Sequence, residues 1–398
     1  MLNGGSLLFY LYQSNHIENL AVSLAGVVAA PLRSPLAPEV VIVQGKGMER
    51  WVSLRLAERL TICANVEFLS PSAFERRMVC AVSGDLSDSS TFSPEVLVWR
   101  IMACLGQSND IDVASRLRDY LEGGGDFRRY ELAWRIADIF DQYLLFRPDW
   151  VDAWEGGRLC DLGADEAWQA ALWRDLALHQ AHRGRLMKQL SAHLDGDEFG
   201  GALPERVILF GISTLPPLFL DMMRKLARHI PVHLFALNPS RKHWEEIRGQ
   251  VRPAATDNPL LASLDQQGRD FCAALADIPE LQDVFDETPG STDTLLHILQ
   301  SDIVNLIDPE APGYVRHHIL PDDRSVQVHN CHGPMREVEV LHDQLLQLFS
   351  ADPSLTPDRV AVLAADIESY VPYINAVFAA RAGAPAIHYN FIGRGSDA

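Results

Sequence analysis

VVIVQGKG at residues 40–47, running straight into MERWVSLRLAERL at residues 48–60, decides the fold class. Val40 to Val43 is an unbroken β-branched run, the pattern of a strand covered on both faces in a parallel sheet. Gln44-Gly45-Lys46-Gly47 supplies a turn, and Met48 to Leu60 reads as an amphipathic helix with Trp51, Leu54, Leu56 and Leu60 on its apolar side. A similar unit precedes it: an apolar run at Leu7 to Tyr12, the loop Gln13-Ser14-Asn15, and a helical pattern over Ile17 to Val28. Farther on, Arg206 to Phe210 (RVILF) predicts another strand, followed by a helix opening at Pro216-Pro217 and running through Arg228, and Pro231 to Leu237 (PVHLFAL) predicts a further strand. Strands alternating with helices in this way make an α/β protein with a parallel sheet flanked by helices.

From about Ser93 to Leu194 the periodicity is helical, as expected of a helical insertion. Its most regular part is Glu131 to Phe146, where Leu132, Ile136, Ile139, Phe140, Tyr143 and Leu144 recur at helical spacing and Arg147-Pro148-Asp149 ends the helix. Asn238 to about Asp323 is irregular, with short helices. Ser325 to His329 (SVQVH) and Arg359 to Ala364 (RVAVLA) then predict strands leading into helices that run through Leu348 and over Ile367 to Ala379.

Nucleotide chemistry is absent from the motifs. A phosphate-binding loop needs Gly-x-x-x-x-Gly-Lys followed by Ser or Thr to ligate magnesium. The chain has four lysines, and Lys46, Lys188, Lys225 and Lys242 are followed by Gly47, Gln189, Leu226 and His243. The strand at 206–210, where a motor would offer an acid to the metal and the attacking water, ends instead in Gly211-Ile212-Ser213-Thr214.

Composition narrows the classes further. A 398-residue chain with 47% hydrophobic and 22% charged residues has enough apolar material for more than one core. No stretch is long and apolar enough to span a bilayer, and the opening MLNGGSLLFYLYQSN lacks the basic region of a signal peptide, so it reads as a buried strand. Six scattered cysteines form no C-x-x-C pair, which fits a reducing cytoplasm and neither a zinc site nor a disulfide framework. His179/His182 and His329/His332 have ligand-like spacing but no third ligand nearby, and are expected at the surface or in loops. The net charge of −19 opposes bulk attraction to a polyanion, so any nucleic-acid contact must be local. Arg76-Arg77, Arg116 with Arg118, Arg128-Arg129, and Arg183 with Arg185 and Lys188 are the candidate clusters.

Several segments, in order along the chain, resemble one family. They are VIVQGKGMERW (41–51), FDQYLLFRPDW (140–150), AWQAALWRDL (167–176), FGISTLPPLFL (210–220), NPLLASL (258–264), GRDF (268–271) and REVEVLHDQLL (336–346). The family is RecC, the gamma subunit of the bacterial exodeoxyribonuclease V or RecBCD complex. The resemblance implies an inactive superfamily-1 helicase-like motor fold: residues 1–92 and 199–322 as a 1A-like α/β domain without Walker motifs, 93–198 as a helical 1B-like insertion, and 323–398 as the start of a 2A-like domain, truncated. It also implies a subunit that is not an enzyme on its own and needs no cofactor, with ATP and Mg²⁺ handled by RecB-like and RecD-like partners. Its implied role is to handle single-stranded and forked DNA and to scan the 3′-ended strand for the Chi hotspot.

Carrying the family's proposed Chi-reading positions across gives Gln44, Lys46, Arg50, Ser70, Arg76, Asp138, Ile139, Asp141, Arg147 and Arg183. Four depart from the family pattern, Lys46 standing for Thr, Arg50 for Gln, Ser70 for Leu and Arg76 for Trp. Amides, carboxylates and guanidiniums read base edges in defined geometry, whereas phosphates accept any well-placed cation. The expectation is retained single-strand binding with altered or lost hotspot recognition. Two other readings remain open, a scaffold that binds the motor partners without reading DNA, and a stand-alone metal-dependent nuclease. The second lacks a Glu-x-Lys motif at any of the lysines. Cations converging on one concave surface would favour a DNA channel, and dispersed ones a scaffold.

Overall fold

The computed structural model describes residues 8–34, 36–83, 93–107, 117, 120–121, 123–178, 182–196, 203–240, 258–264, 266–278, 280–283, 285, 294–378 and 387–391. It divides into two compact units, Met1–Thr288 with Ser301–Val315, and Pro289–Gln300 with Arg316–Ala398.

Among the described residues the first unit is built on a six-stranded sheet of order β3-β2-β4-β5-β1-β6, all of its pairs parallel. The strands are β1 (Phe9–Ser14), β2 (Glu39–Ile42), β3 (Val66–Leu69), β4 (Val207–Phe210), β5 (Val232–Leu237) and β6 (Glu280–Asp283). Side chains alternate between two cores because the pleat has a period of two. Val40, Ile42, Val207, Leu209, Val232 and Leu234 point to one face, and Val41, Val43, Ile208, Phe210 and Phe235 to the other. Both faces are dry, which is why VVIV and VILF carry no polar residue.

Helices α1 (Ile17–Ala29) and α2 (Lys46–Leu60) cover the second face. There Tyr12 stacks on Phe235 with centroids 4.3 Å apart, and Phe235, Phe210 and Trp51 continue the aromatic row. α2 buries Val52 and Leu56, whereas Leu54, expected on its apolar side, is exposed. Leu54 lies two residues from both buried positions, about 200° around the helix, so it cannot share their face. The opposite sheet face is covered by α3 (Pro71–Ser83), α8 (Arg183–Leu194), α9 (Pro217–Leu226) and α11 (Gln266–Leu275), through residues such as Phe74, Leu190, Phe219 and Phe271. Short α10 (Pro259–Leu264) precedes α11.

Between α3 and α8 lie α4 (Pro94–Gln107), α5 (Gly125–Phe146), α6 (Pro148–Glu155) and α7 (Glu166–Ala177). Their own core centres on Phe140, Trp154 and Trp173, the rings of Phe140 and Trp173 meeting edge to face at 5.3 Å. α8 ties this helical layer to the sheet, because its Met187, Leu190 and Leu194 belong to the sheet core.

Two strands escape a β-branched search. β3 is VEFL and β6 is ELQD, whose place at the sheet edge comes from pairing with β1. Conversely, SVQVH (325–329) and RVAVLA (359–364), predicted as strands, join no ladder among the described residues. A strand exists only through its partners, and Val328 and Leu363 are almost wholly exposed. α12 (Leu295–Asn305) begins where Leu295 N–H donates to Asp323 at 2.8 Å. In the second unit, α13 (Pro334–Ala351) and α14 (Ile367–Phe378) bury Val338, Leu345, Val371 and Val377, and Tyr370 O–H donates to Glu337 at 2.8 Å.

At the end of β4 the chain turns through Gly211 at φ +62°, and a Cβ there would sit 3.1 Å from Met48 Cε of α2. Gly211→Ala is therefore expected to destabilise the fold by about 1–2 kcal/mol through left-handed strain and this contact. Urea denaturation checks it; an unchanged midpoint would mean that neither is felt.

Candidate nucleic-acid interface

In an open parallel sheet, ligands sit outside the carboxyl ends of the strands, where neighbouring connections leave in opposite directions. That point here lies between β2 and β4, since β2 leads to α2 on one face and β4 to α9 on the other. The opposite edge is closed by an ion pair, Arg206 donating to nearly buried Glu39 at 2.9 Å.

The carboxyl edge has two parts. Across the ends of β1, β4 and β5 lies a cavity of about 360 Å³ lined by Asn15, Gly211, Ile212, Ser213, Leu237, Asn238, Pro239, Gln267, Gly268, Phe271 and Cys272, all uncharged. β1 passes into α1 through only Asn15 and His16, too short a turn to wrap a phosphate in backbone N–H groups. Among the described residues no group of three or more His, Cys, Asp or Glu side chains could hold a metal ion.

Beside the cavity, at the ends of β2 and β3, the edge is polar. Val43 N–H donates to Leu69 O at 2.9 Å, so the next residues on each strand, Gln44 and Ser70, emerge side by side, both exposed. Ser70 caps α3, its Oγ accepting from Ala73 N–H at 3.2 Å. Lys46 and Arg50 follow on the first turn and a half of α2, exposed, with Lys46 Nζ 3.0 Å from Glu49. Arg76 is exposed on α3.

α3 then connects this edge to the helical layer. Glu75, 5% exposed, accepts both Nε and Nη2 of Arg183, the first residue of α8. Burial works against the Arg183 cation, but the Glu75 carboxylate outweighs it and raises the pKa above its ordinary value, with Asp141 adding to the effect. Asp141 on α5 feels the same cluster. Burial pushes its carboxyl up, Arg183 opposes this, and Asp138, Glu75 and Glu95 add to the upward push. Asp138 accepts from Gln142 at 3.1 Å, and Ile139, which the periodicity grouped with the apolar side, is 39% exposed next to it. Arg147, at the end of α5, places its guanidinium 4.8 Å from the centroid of the Trp150 ring.

The structure thus brings Gln44 next to Ser70, and Arg183 next to Asp141 through Glu75. Glu75 had no sequence signal, lying 108 residues from its partner. The basic clusters are largely neutralised, with Arg77 on Glu67, Arg129 on Asp126, Arg185 on Glu155 and Lys188 on Asp152. Arg116 and Arg118 lie outside the described residues, as does His179. His182, expected at the surface, is 1% exposed, with Nε2 2.5 Å from Glu155 Oε1; His329 and His332 are exposed. No helix among the described residues is long and apolar enough to cross a membrane.

Comparison with known proteins places these features in a family. The family model described as "RecC, N-terminal domain" matches residues 9–306. The chain is similar to the RecBCD enzyme subunit RecC of Escherichia coli (strain K12), with 34% identity over 95% of this chain and 38% of that protein. The subunit of the same name from Haemophilus influenzae is 30% identical over 94% of the chain and 40% of its own length. That from Mycolicibacterium smegmatis is 35% identical over 93% and 34%. The chain spans between a third and two fifths of the length of these relatives.

Proposed function

The chain belongs to the RecC family, and on that premise we propose that it is a non-catalytic, DNA-binding part of a RecBCD-type complex in double-strand break repair and recombination. In this reading it guides the 3′-ended single strand and scans it for a Chi-type hotspot, beside RecB-like and RecD-like subunits in the bacterial cytoplasm, with ATP and Mg²⁺ confined to those partners. Residues 1–92 with 199–322 act as a motor-like domain without fuel chemistry, 93–198 as its helical insertion, and 323–398 as the beginning of a second motor-like domain.

One observation carries the reading. The sheet edge where a motor would grip a triphosphate is an uncharged cavity with a two-residue strand-to-helix turn. Immediately beside it, Gln44 and Ser70, then Arg76, Arg183, Asp141 and Asp138, set amide, hydroxyl, guanidinium and carboxylate groups along the ends of β2 and β3 and onto α5. Such groups suit base edges, while Lys46, Arg50 and Arg147 suit phosphates.

Binding to labelled single-stranded oligonucleotides, with and without the hotspot, over a salt series tests this. The expected result is salt-dependent binding without nucleotide hydrolysis, and a salt slope about one smaller in Lys46→Ala and Arg50→Ala. Hydrolysis by the purified chain would refute the reading. The pairing of the α8 cations with carboxylates supports the scaffold alternative. Capture of partner subunits without any oligonucleotide binding at low salt would establish that one instead.

A further inference from the structure

On the solvent side of α5, Phe127, Tyr130 and Trp134 are spaced three and four residues apart and so form one row. Ala133, Ile136, Ala137, Phe140 and Leu144, about a quarter turn around the helix from that row, face the core. Phe127 is 77% exposed, Trp134 55% and Tyr130 39%; Trp99 of α4, 63% exposed, meets Tyr130 with ring centroids 5.5 Å apart. A cluster of exposed aromatic rings on this scale marks an interaction site.

Charge says what kind. Residues 125–135, GDFRRYELAWR, carry three arginines against two acids within a chain of net charge −19, so the local balance reverses where the rings are exposed. The Arg128 guanidinium already lies 5.6 Å from the centroid of the Tyr120 ring. The row also has a direction. Asp138 and Asp141 follow Trp134 by four and seven residues, so the helix face that starts with rings ends at the carboxylates described above, about 21 Å from Phe127 to Asp141 along the axis. Unpaired bases offer flat apolar faces to the rings, and their backbone offers a phosphate to Arg128, whose partners are the uncharged carbonyl and ring of Tyr120, Arg129 and Arg135 being paired with Asp126 and Glu131; a purely apolar partner would satisfy only the rings.

We infer that Trp99, Phe127, Tyr130 and Trp134 form a base-stacking ledge for single-stranded nucleic acid, delivering the strand to Asp138 and Asp141. This rests on the single-strand reading proposed above. Base stacking on aromatic side chains tolerates any sequence, so the ledge would hold the strand whatever hotspot is read downstream.

Anisotropy titrations of the whole chain with a labelled oligo-dT and with an abasic oligonucleotide of equal length test it. Trp134→Ala and Trp99→Ala are expected to weaken oligo-dT binding about tenfold each, to leave abasic binding unchanged, and to be largely rescued in Trp134→Phe. Because the rings are exposed, thermal melts of the variants should match the parent. If the parent binds oligo-dT and both alanine variants bind it equally well, the ledge is refuted and the single-strand reading stands. If the parent binds neither oligonucleotide, that reading falls and takes the ledge with it. If the variants lose partner-subunit capture while oligo-dT binding is unchanged, the rings belong to a protein interface and the ledge is refuted.

Discussion

Glu155→Ala is expected to destabilise the first unit by about 3 kcal/mol, as removal of one member of a buried charged network does. Glu155 ends α6 and gathers groups from two other helices. Trp173 Nε1 donates to it at 3.1 Å, Arg185 donates through Nε and Nη2 at 3.0 and 2.8 Å, and His182 Nε2 lies 2.5 Å away. Trp173 and His182 are almost completely buried, so deleting the carboxylate removes an acceptor from groups that water cannot reach to replace it. Glu155→Gln keeps an acceptor but loses the charge, and should cost less.

The pH dependence separates charge from packing. Burial pushes the Glu155 carboxyl up, but His182, Arg185 and Trp173 outweigh it and bring the pKa to about 2, against 4.5 ordinarily. A carboxyl depressed in the folded state favours folding above its unfolded pKa, and this contribution is lost as pH falls from about 4.5 toward about 2. After allowance for solvent screening it amounts to ~2 kcal/mol. The stability gap between the parent and Glu155→Gln, from urea denaturation between pH 7 and pH 3, should therefore narrow with acid. A gap of constant size would show that the charge of Glu155 plays no part.

What could be read from the chain follows physical lines. VVIV and VILF announce themselves because a strand dry on both faces admits only apolar residues, and both are central strands. ELQD could not announce itself, since an edge strand needs backbone partners more than side-chain burial, and β1 supplies them. SVQVH and RVAVLA have the composition of strands but join no ladder among the described residues, and pairing cannot be deduced from propensity. For the site, the nearness of Gln44 to Ser70 follows once β2 and β3 are known to be parallel neighbours. The partner of Arg183 does not follow, because the packing of α8 against α3 is set by the apolar residues Met187 and Leu190. The burial of His182, the residue before that helix, is not legible either, because it rests on Trp173 and Glu155 of two other helices, the Trp173 ring meeting it edge to face at 5.3 Å.

Arg183→Ala should be the more damaging half of the pair that joins the sheet edge to the helical layer. Removing Arg183 leaves Glu75, 5% exposed, without its cation, and leaves Asp141 among like charges. A cost of about 3–5 kcal/mol is expected. Glu75→Ala should cost less, because Arg183 keeps 30% side-chain exposure and the attraction of Asp141. Replacing both residues by leucine should recover most of the loss, since neither charge then remains to be desolvated. Acid gives a further check. Asp141 already has a raised pKa in the folded chain, and a carboxyl raised on folding gains stability as pH falls, because the folded state then binds the proton more readily. With Arg183 gone, the upward push on Asp141 loses its main opposition, so the variant should recover stability relative to the parent as the pH is lowered from 7 toward 5. Denaturation midpoints of the two chains over that range decide it: if Arg183→Ala tracks the parent at every pH, the pair is a surface contact of little consequence. Because the same guanidinium is a proposed DNA contact, the Glu75→Ala chain, in which Arg183 is released from its bidentate partner, should bind single strands at least as tightly as the parent wherever it is folded. Weaker binding by the folded variant would mean that the Glu75 pair is needed to present Arg183 to DNA.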